Sequence, residues 1–141
     1  MSLMRRTLLV AFFALLAPGV VQAQRLPYRV VFDLTSRDTL DQKAVLRWIR
    51  EVGTSSPEAQ MEVVMYSKGF EIVMPEKSAY IADVQAAMKN FHVTFVVCAM
   101  ALKNNSVDKS QLLPETQIVP DGIYEIVSKQ QDHWGYIKAV H

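Results

Sequence analysis

The chain contains one cysteine, Cys98, which closes the run Val93-Thr94-Phe95-Val96-Val97-Cys98. Ala99-Met100-Ala101-Leu102-Lys103 follows at once. β-Branched residues giving way to helix formers predict a buried strand that enters a helix at the thiol. A sulfur at that junction lies near backbone N–H groups without intrahelical partners and near the positive end of a helix dipole. Both features favour the thiolate, which is the nucleophile. With no second cysteine, Cys98 is a free thiol, one half of an intermolecular bridge, or an inert buried residue. The packing alternative is real, because unbridged cysteine is among the most buried residue types.

Other residues are candidates for the same site. Asp33 ends the first predicted strand, where it would bind a ligand hydroxyl, act as a base, or close the strand-to-helix turn. Ser67, Lys68 and Gly69 follow the second strand. Ser67 and Gly69 would offer backbone N–H groups to an anion, and Lys68 would place a cation near the sulfur. Lys103 lies more than one helical turn beyond Cys98 and points elsewhere. Neither G-x-x-x-x-G-K-[ST] nor G-x-G-x-x-G occurs, so nucleotide binding has no support. His92, His133 and His141 are far apart and lack metal-ligand spacing, and the methionines do not cluster as a thioether copper site would require. The expectation is no metal and no cofactor.

These residues need a scaffold. Residues 28–34 predict a first strand with near-continuous apolar character, as in a strand covered on both faces. Leu40, Ala44, Trp48 and Val52, with Val45 and Ile49, form one apolar helix face. Asp38 is the expected N-cap of that helix and Gly53 its expected stop. Residues 61–66 predict a second strand, 70–74 an apolar β-prone segment ended by Pro75, and 78–90 a second helix. The third strand is 93–98. Residues 99–113 hold a short helix and a turn at Asn104-Asn105-Ser106. A short strand at 116–119 is followed by a helix that starts at Pro120-Asp121-Gly122 and ends near His133. Residues 134–138 close the sheet, with Trp134 and Tyr136 as core or subunit interface. This alternation predicts an α/β fold: a small Rossmann-like, flavodoxin-like three-layer sandwich on a mainly parallel five-stranded sheet. Ligands of such sheets bind at the carboxyl ends of the strands, where Asp33, Ser67-Lys68-Gly69 and Cys98 fall.

The amino terminus reads as an export signal. Arg5-Arg6 precede an apolar run, residues 8–16, too short for a bilayer span. Pro18-Gly19 then break it, and Val21-Gln22-Ala23 is a cleavage site. Residues 1–23 are thus the expected signal peptide and 24–141 a single domain, periplasmic or secreted. The net charge of +1, with acids and bases interspersed, argues against nucleic acid or an anionic membrane as partner.

The segment Val97-Cys98-Ala99-Met100-Ala101-Leu102-Lys103 resembles the cysteine segment of the DsrE/DsrF-like family. The tail Val119-Pro120-Asp121-Gly122-Ile123-Tyr124-Glu125-Ile126-Val127, then Gln130-Gln131 and Trp134-Gly135-Tyr136-Ile137-Lys138, is similar to the exported, mostly uncharacterised branch of that family. The resemblance implies a Rossmann-like fold and a persulfide carried on Cys98. It also implies a homo-oligomer, trimer or hexamer, with the cysteine near a subunit boundary and a sulfur donor or acceptor protein as partner. The sulfur-relay members work in the cytoplasm, whereas this chain carries an export signal. Two functions follow as expectations. One is a sulfur carrier or transferase-like protein; the other is a non-catalytic oligomeric binding module in which Cys98 is structural. A redox role through an intermolecular disulfide is a weaker third.

Overall fold

The computed structural model describes residues 27–141, so the predicted signal peptide and its cleavage site lie outside the described residues. Five parallel strands form one sheet: β1 (Arg29–Leu34), β2 (Gln60–Met65), β3 (Val93–Cys98), β4 (Gln117–Val119) and β5 (Gly135–Lys138). Their spatial order is β4-β3-β2-β1-β5. Phe32 pairs with Val63 of β2 on one side and Ile137 of β5 on the other, and Cys98 pairs with Val119 of β4. The α/β sandwich expected from the sequence is the observed fold, and its sheet is wholly parallel.

Strand alternation builds two cores. Val30, Phe32 and Leu34 of β1 join Met61, Val63 and Met65 of β2 and Val93, Phe95 and Val97 of β3 on one face. That face is covered by α1 (Thr39–Ser55), a 3₁₀ turn (Gly69–Val73), α2 (Ile81–Asn90) and α3 (Ala99–Asn104). Val31, Val64 and Val96 point the other way, onto Ile126 of α4 (Gly122–Gln131). The strands read as continuous apolar runs because both faces are buried.

Local signals explain most boundaries. The Asp38 carboxylate accepts from Leu40 N at 2.7 Å and caps α1. Gly53 does not stop this helix, which runs on to Ser55. Gly53 instead lets the Phe91 ring approach, since a Cβ there would sit 2.8 Å from Phe91 Cγ. Residues 70–73 lie in the 3₁₀ turn rather than in a strand, and only Met74 is extended. Phe70, Ile72 and Val73 are buried in the 3₁₀ turn, and Leu113 N donates to Val73 O at 2.9 Å. Their apolar composition reflects burial without a neighbouring strand to pair with. The second helix begins at Ile81 rather than Ser78, whose hydroxyl accepts from Tyr80 N in a preceding turn. Asn105 ends α3 by donating to Ala101 O at 2.7 Å. Asp121 caps α4 by accepting from Ile123 N and Tyr124 N. That helix stops at Gln131, short of His133, which takes a left-handed φ of 63°.

The path of the chain fixes where a site can form. Strands β1 to β4 step across the sheet in one direction, and the connection through α4 returns over the opposite face to place β5 beside β1. Strand order therefore reverses between β1 and β5. In open α/β sheets, the crevice outside the strand carboxyl ends at such a reversal is where ligands bind.

Candidate functional site

Cys98 is the last residue of β3 and the cap residue of α3, as the sequence predicts. Its side chain makes no capping hydrogen bond and is largely buried, at 6% exposure. The helix after it has only six residues, so the dipole behind the sulfur is short. A second helix start closes on the cysteine from the other face. A Cβ on Gly122, the first residue of α4, would lie 3.2 Å from Cys98 Cβ, 3.3 Å from Val64 Cγ1 and 3.4 Å from Tyr66 Cβ. Gly122 thus forms a shared floor between Cys98 and Tyr66, and a larger residue there would press on both.

Tyr66 leads from the cysteine to a polar cluster at the reversal point. Asp33, only 3% exposed, lies at the end of β1 opposite Lys138 of β5. Its Oδ2 accepts from Tyr136 Oη at 2.6 Å and from Tyr66 Oη at 3.3 Å. Its Oδ1 accepts from Lys138 Nζ at 3.1 Å, and the same ammonium donates to Thr35 Oγ1 at 2.9 Å. The Lys138 ammonium also stands 5.7 Å from the centre of the Tyr66 ring. Three side chains therefore converge on one buried carboxylate, and Asp33 organises them rather than presenting an open acceptor.

The carboxylate reshapes the tyrosines. The Asp33 hydrogen bond, with burial and the Asp33 charge behind it, pushes the Tyr136 phenol up to about 12. Burial first, and then Asp33, raises Tyr66 as well. Both phenols stay protonated as donors at neutral pH. An ordinary phenol titrates near ~10. A value raised in the folded state gives a contribution that is complete below pH ~10 and is lost as pH rises through about 12. Absorbance-monitored alkaline titration should therefore show a late-ionising tyrosine, absent in Tyr136→Phe, with stability falling across the same window.

The loop after β2 is tied to the end of β1. Ser67 adopts a left-handed φ of 55°, and its carbonyl accepts from Asn105 Nδ2 at 3.3 Å. Lys68 N donates to Thr35 O and Gly69 N to Tyr66 O, so neither N–H is directed at an anion. A Cβ on Gly69 would overlap the Leu34 carbonyl oxygen, with the Leu34 carbonyl carbon 2.6 Å away. The loop clamps the end of β2 onto the end of β1 and so fixes Tyr66 beside Asp33.

Tyr66, Thr35, Tyr136 and Lys138 are the site residues the sequence reading missed. Tyr136 and Lys138 are spaced by two on one strand and therefore share a face. That spacing was the available signal, but it points to Asp33 only once β5 is known to lie beside β1. The histidines stay apart, and among the described residues no three His, Cys, Asp or Glu side chains gather as a metal site. On the face of the sheet that α4 covers, Lys129 Nζ pairs with buried Glu62 at 2.8 Å and lies 4.5 Å from the Trp134 ring centre, tying α4 to β2. Burial raises Glu62, against the nearby ammonium.

Neither a known protein family nor a curated protein matches the sequence. Among solved structures, the chain is similar to MTH1491, a protein of unknown function from Methanobacterium thermoautotrophicum. The sequence identity is 29% and the TM-score 0.74, covering 79% of this chain and 98% of that one. The likeness spans nearly all of that protein, and with the strand order above it makes this chain an α/β protein of the Rossmann-like, flavodoxin-like type.

Proposed function

We propose that the protein is an exported sulfur carrier that holds a persulfide on Cys98. The observation that carries this reading is the position of the thiol. It ends a central parallel strand at the carboxyl edge of the sheet, with two helices starting beside it. This is the edge at which α/β folds bind small molecules. The resemblance of residues 97–103 and of the tail to the DsrE/DsrF-like family supports the same chemistry. The Cys98 thiolate attacks the terminal sulfur of a persulfide donor. A new S–S bond forms as the donor's own S–S bond breaks and its thiolate leaves. An acceptor thiolate later takes the sulfur in the same way, releasing Cys98. Each transfer exchanges one S–S bond for another, so no oxidant, metal or cofactor is consumed. The Asp33 cluster holds Tyr66 as a fixed wall on the side facing β1.

The working form in this reading is a homo-oligomer, trimer or hexamer, in the periplasm or secreted. Ile123, Tyr124 and Val127 are exposed on α4, with Tyr124 at 73%, and a second copy would cover them. The 6% exposure of Cys98 favours one alternative, a non-catalytic binding module in which the sulfur only packs. Incubation with a sulfane donor and mass spectrometry of the Cys98 peptide decide between them. The carrier gains one sulfur atom there and Cys98→Ala does not; under the alternative, Cys98→Ala leaves assembly and binding unchanged.

A further inference from the structure

A ligand-sized cavity that Cys98 does not line lies beside the helices that cover the larger core. It has a volume of ≈ 590 Å³ and runs between α1 and the start of α2. That volume is within the range of small-molecule sites. Its apolar surface comes from Leu40, Ala44, Leu46 and Tyr80. Leu40 is 52% exposed although it belongs to the apolar stripe of α1. The Tyr80 hydroxyl donates to Thr39 O at 3.2 Å, which sets the ring against the first turn of α1. His141 closes one end, held by Asp41 through both its backbone N–H and its ring, each at 2.9 Å.

The charge on this groove is one-sided. Lys43, Arg47 and Arg50 line it at successive turns of α1, against the single carboxylate of Asp83. Like charges spaced four residues apart on a helix repel one another. Their existing partners hold them weakly. Arg47 reaches Glu51 at 3.7 Å and Arg50 reaches Asp83 at 4.0 Å, all exposed, the kind of pair that contributes little. Lys43 has no ion-pair partner among the described residues. Three cations with weak commitments thus rim an apolar floor on a chain whose net charge is only +1.

We infer that this groove is a binding site for a small amphiphilic anion, an apolar body carrying one anionic head. The body lies on Leu40, Leu46 and Tyr80, and the head engages Arg47, Arg50 and Lys43. The inference is independent of sulfur chemistry at Cys98. The probe is 8-anilinonaphthalene-1-sulfonate, titrated into the purified protein by fluorescence and then displaced by laurate or by inorganic phosphate. One saturable site is expected, displaced by laurate but not by phosphate. The Arg47→Glu/Arg50→Glu variant should bind at least tenfold more weakly. Its side chains are 65% and 71% exposed, so the core is untouched. Lys109→Glu, at an exposed cation that does not line the groove, should bind as the parent does. Four results would overturn the inference: no saturable binding, equal displacement by phosphate, undiminished binding by the double arginine variant, or an equal loss in Lys109→Glu.

Discussion

Gly69→Ala is expected to destabilise the protein by about 3 kcal/mol, the upper end of what overpacking costs. The added methyl would fall on the backbone carbonyl of Leu34, which cannot rotate aside as a side chain does. Relief requires the loop after β2 to lift from the end of β1. That movement breaks the Lys68 N to Thr35 O bond and shifts Tyr66 away from Asp33. For a domain of this size, the loss corresponds to roughly 10 °C or more in Tm. Gly135→Ala is the internal comparison. Its Cβ would meet only Arg29 O, at 3.4 Å, and no glycine in the described structure has positive φ. That variant should stay within about 0.5 kcal/mol of the parent. Thermal and urea unfolding of the two variants measure the contrast directly. Similar stability for both would mean that the loop does not clamp β1 as described.

Asp33→Ala should cost about 2–4 kcal/mol. The substitution leaves two tyrosine hydroxyls and one ammonium without their shared acceptor, and unmade bonds to a charged group are the expensive kind. The cost stays below that of a fully buried broken ion pair because the Lys138 side chain is 38% exposed and can turn to water. Asp33→Asn separates charge from shape. It keeps the volume and one acceptor oxygen but removes the charge behind the Asp33 hydrogen bond, the chief cause of the rise at Tyr136. In that variant the Tyr136 titration should fall from about 12 toward the ordinary phenol range. Urea unfolding reads the first effect and alkaline absorbance titration the second. A Tyr136 titration unchanged in Asp33→Asn would mean that burial, not the carboxylate, sets it.

The scaffold was largely legible before the structure. Continuous apolar runs identified β1 to β3, and four-residue spacing from Leu40 to Val52 identified α1, because burial on two faces and on one face leave different periodicities. Capping residues were read correctly where a side chain does the work, as at Asp38, and incorrectly where a glycine serves packing. Gly53 looks like a helix stop but accommodates Phe91. Residues 70–74 look like a strand because β-branched and aromatic residues mark burial as much as pairing. The site was half legible. Cys98 and Asp33 fall at strand ends by local pattern alone. Tyr136 and Lys138 join Asp33 only through the placement of β5 next to β1, a contact between residues about a hundred positions apart that local pattern does not encode, and Tyr66 joins it through the pairing of β2 with β1. The basic groove has no local signature either, since only the fold brings Tyr80 and His141 against Lys43, Arg47 and Arg50 of α1.

The most direct test of the central claim is the mass of the Cys98 peptide after the folded protein has met a sulfane donor. The account predicts one added sulfur atom on that peptide, removable by a thiol acceptor and absent in Cys98→Ala. A Cys98 that gains no sulfur while folded, and becomes reactive only after unfolding, would contradict it and leave the cysteine as a packing residue of β3.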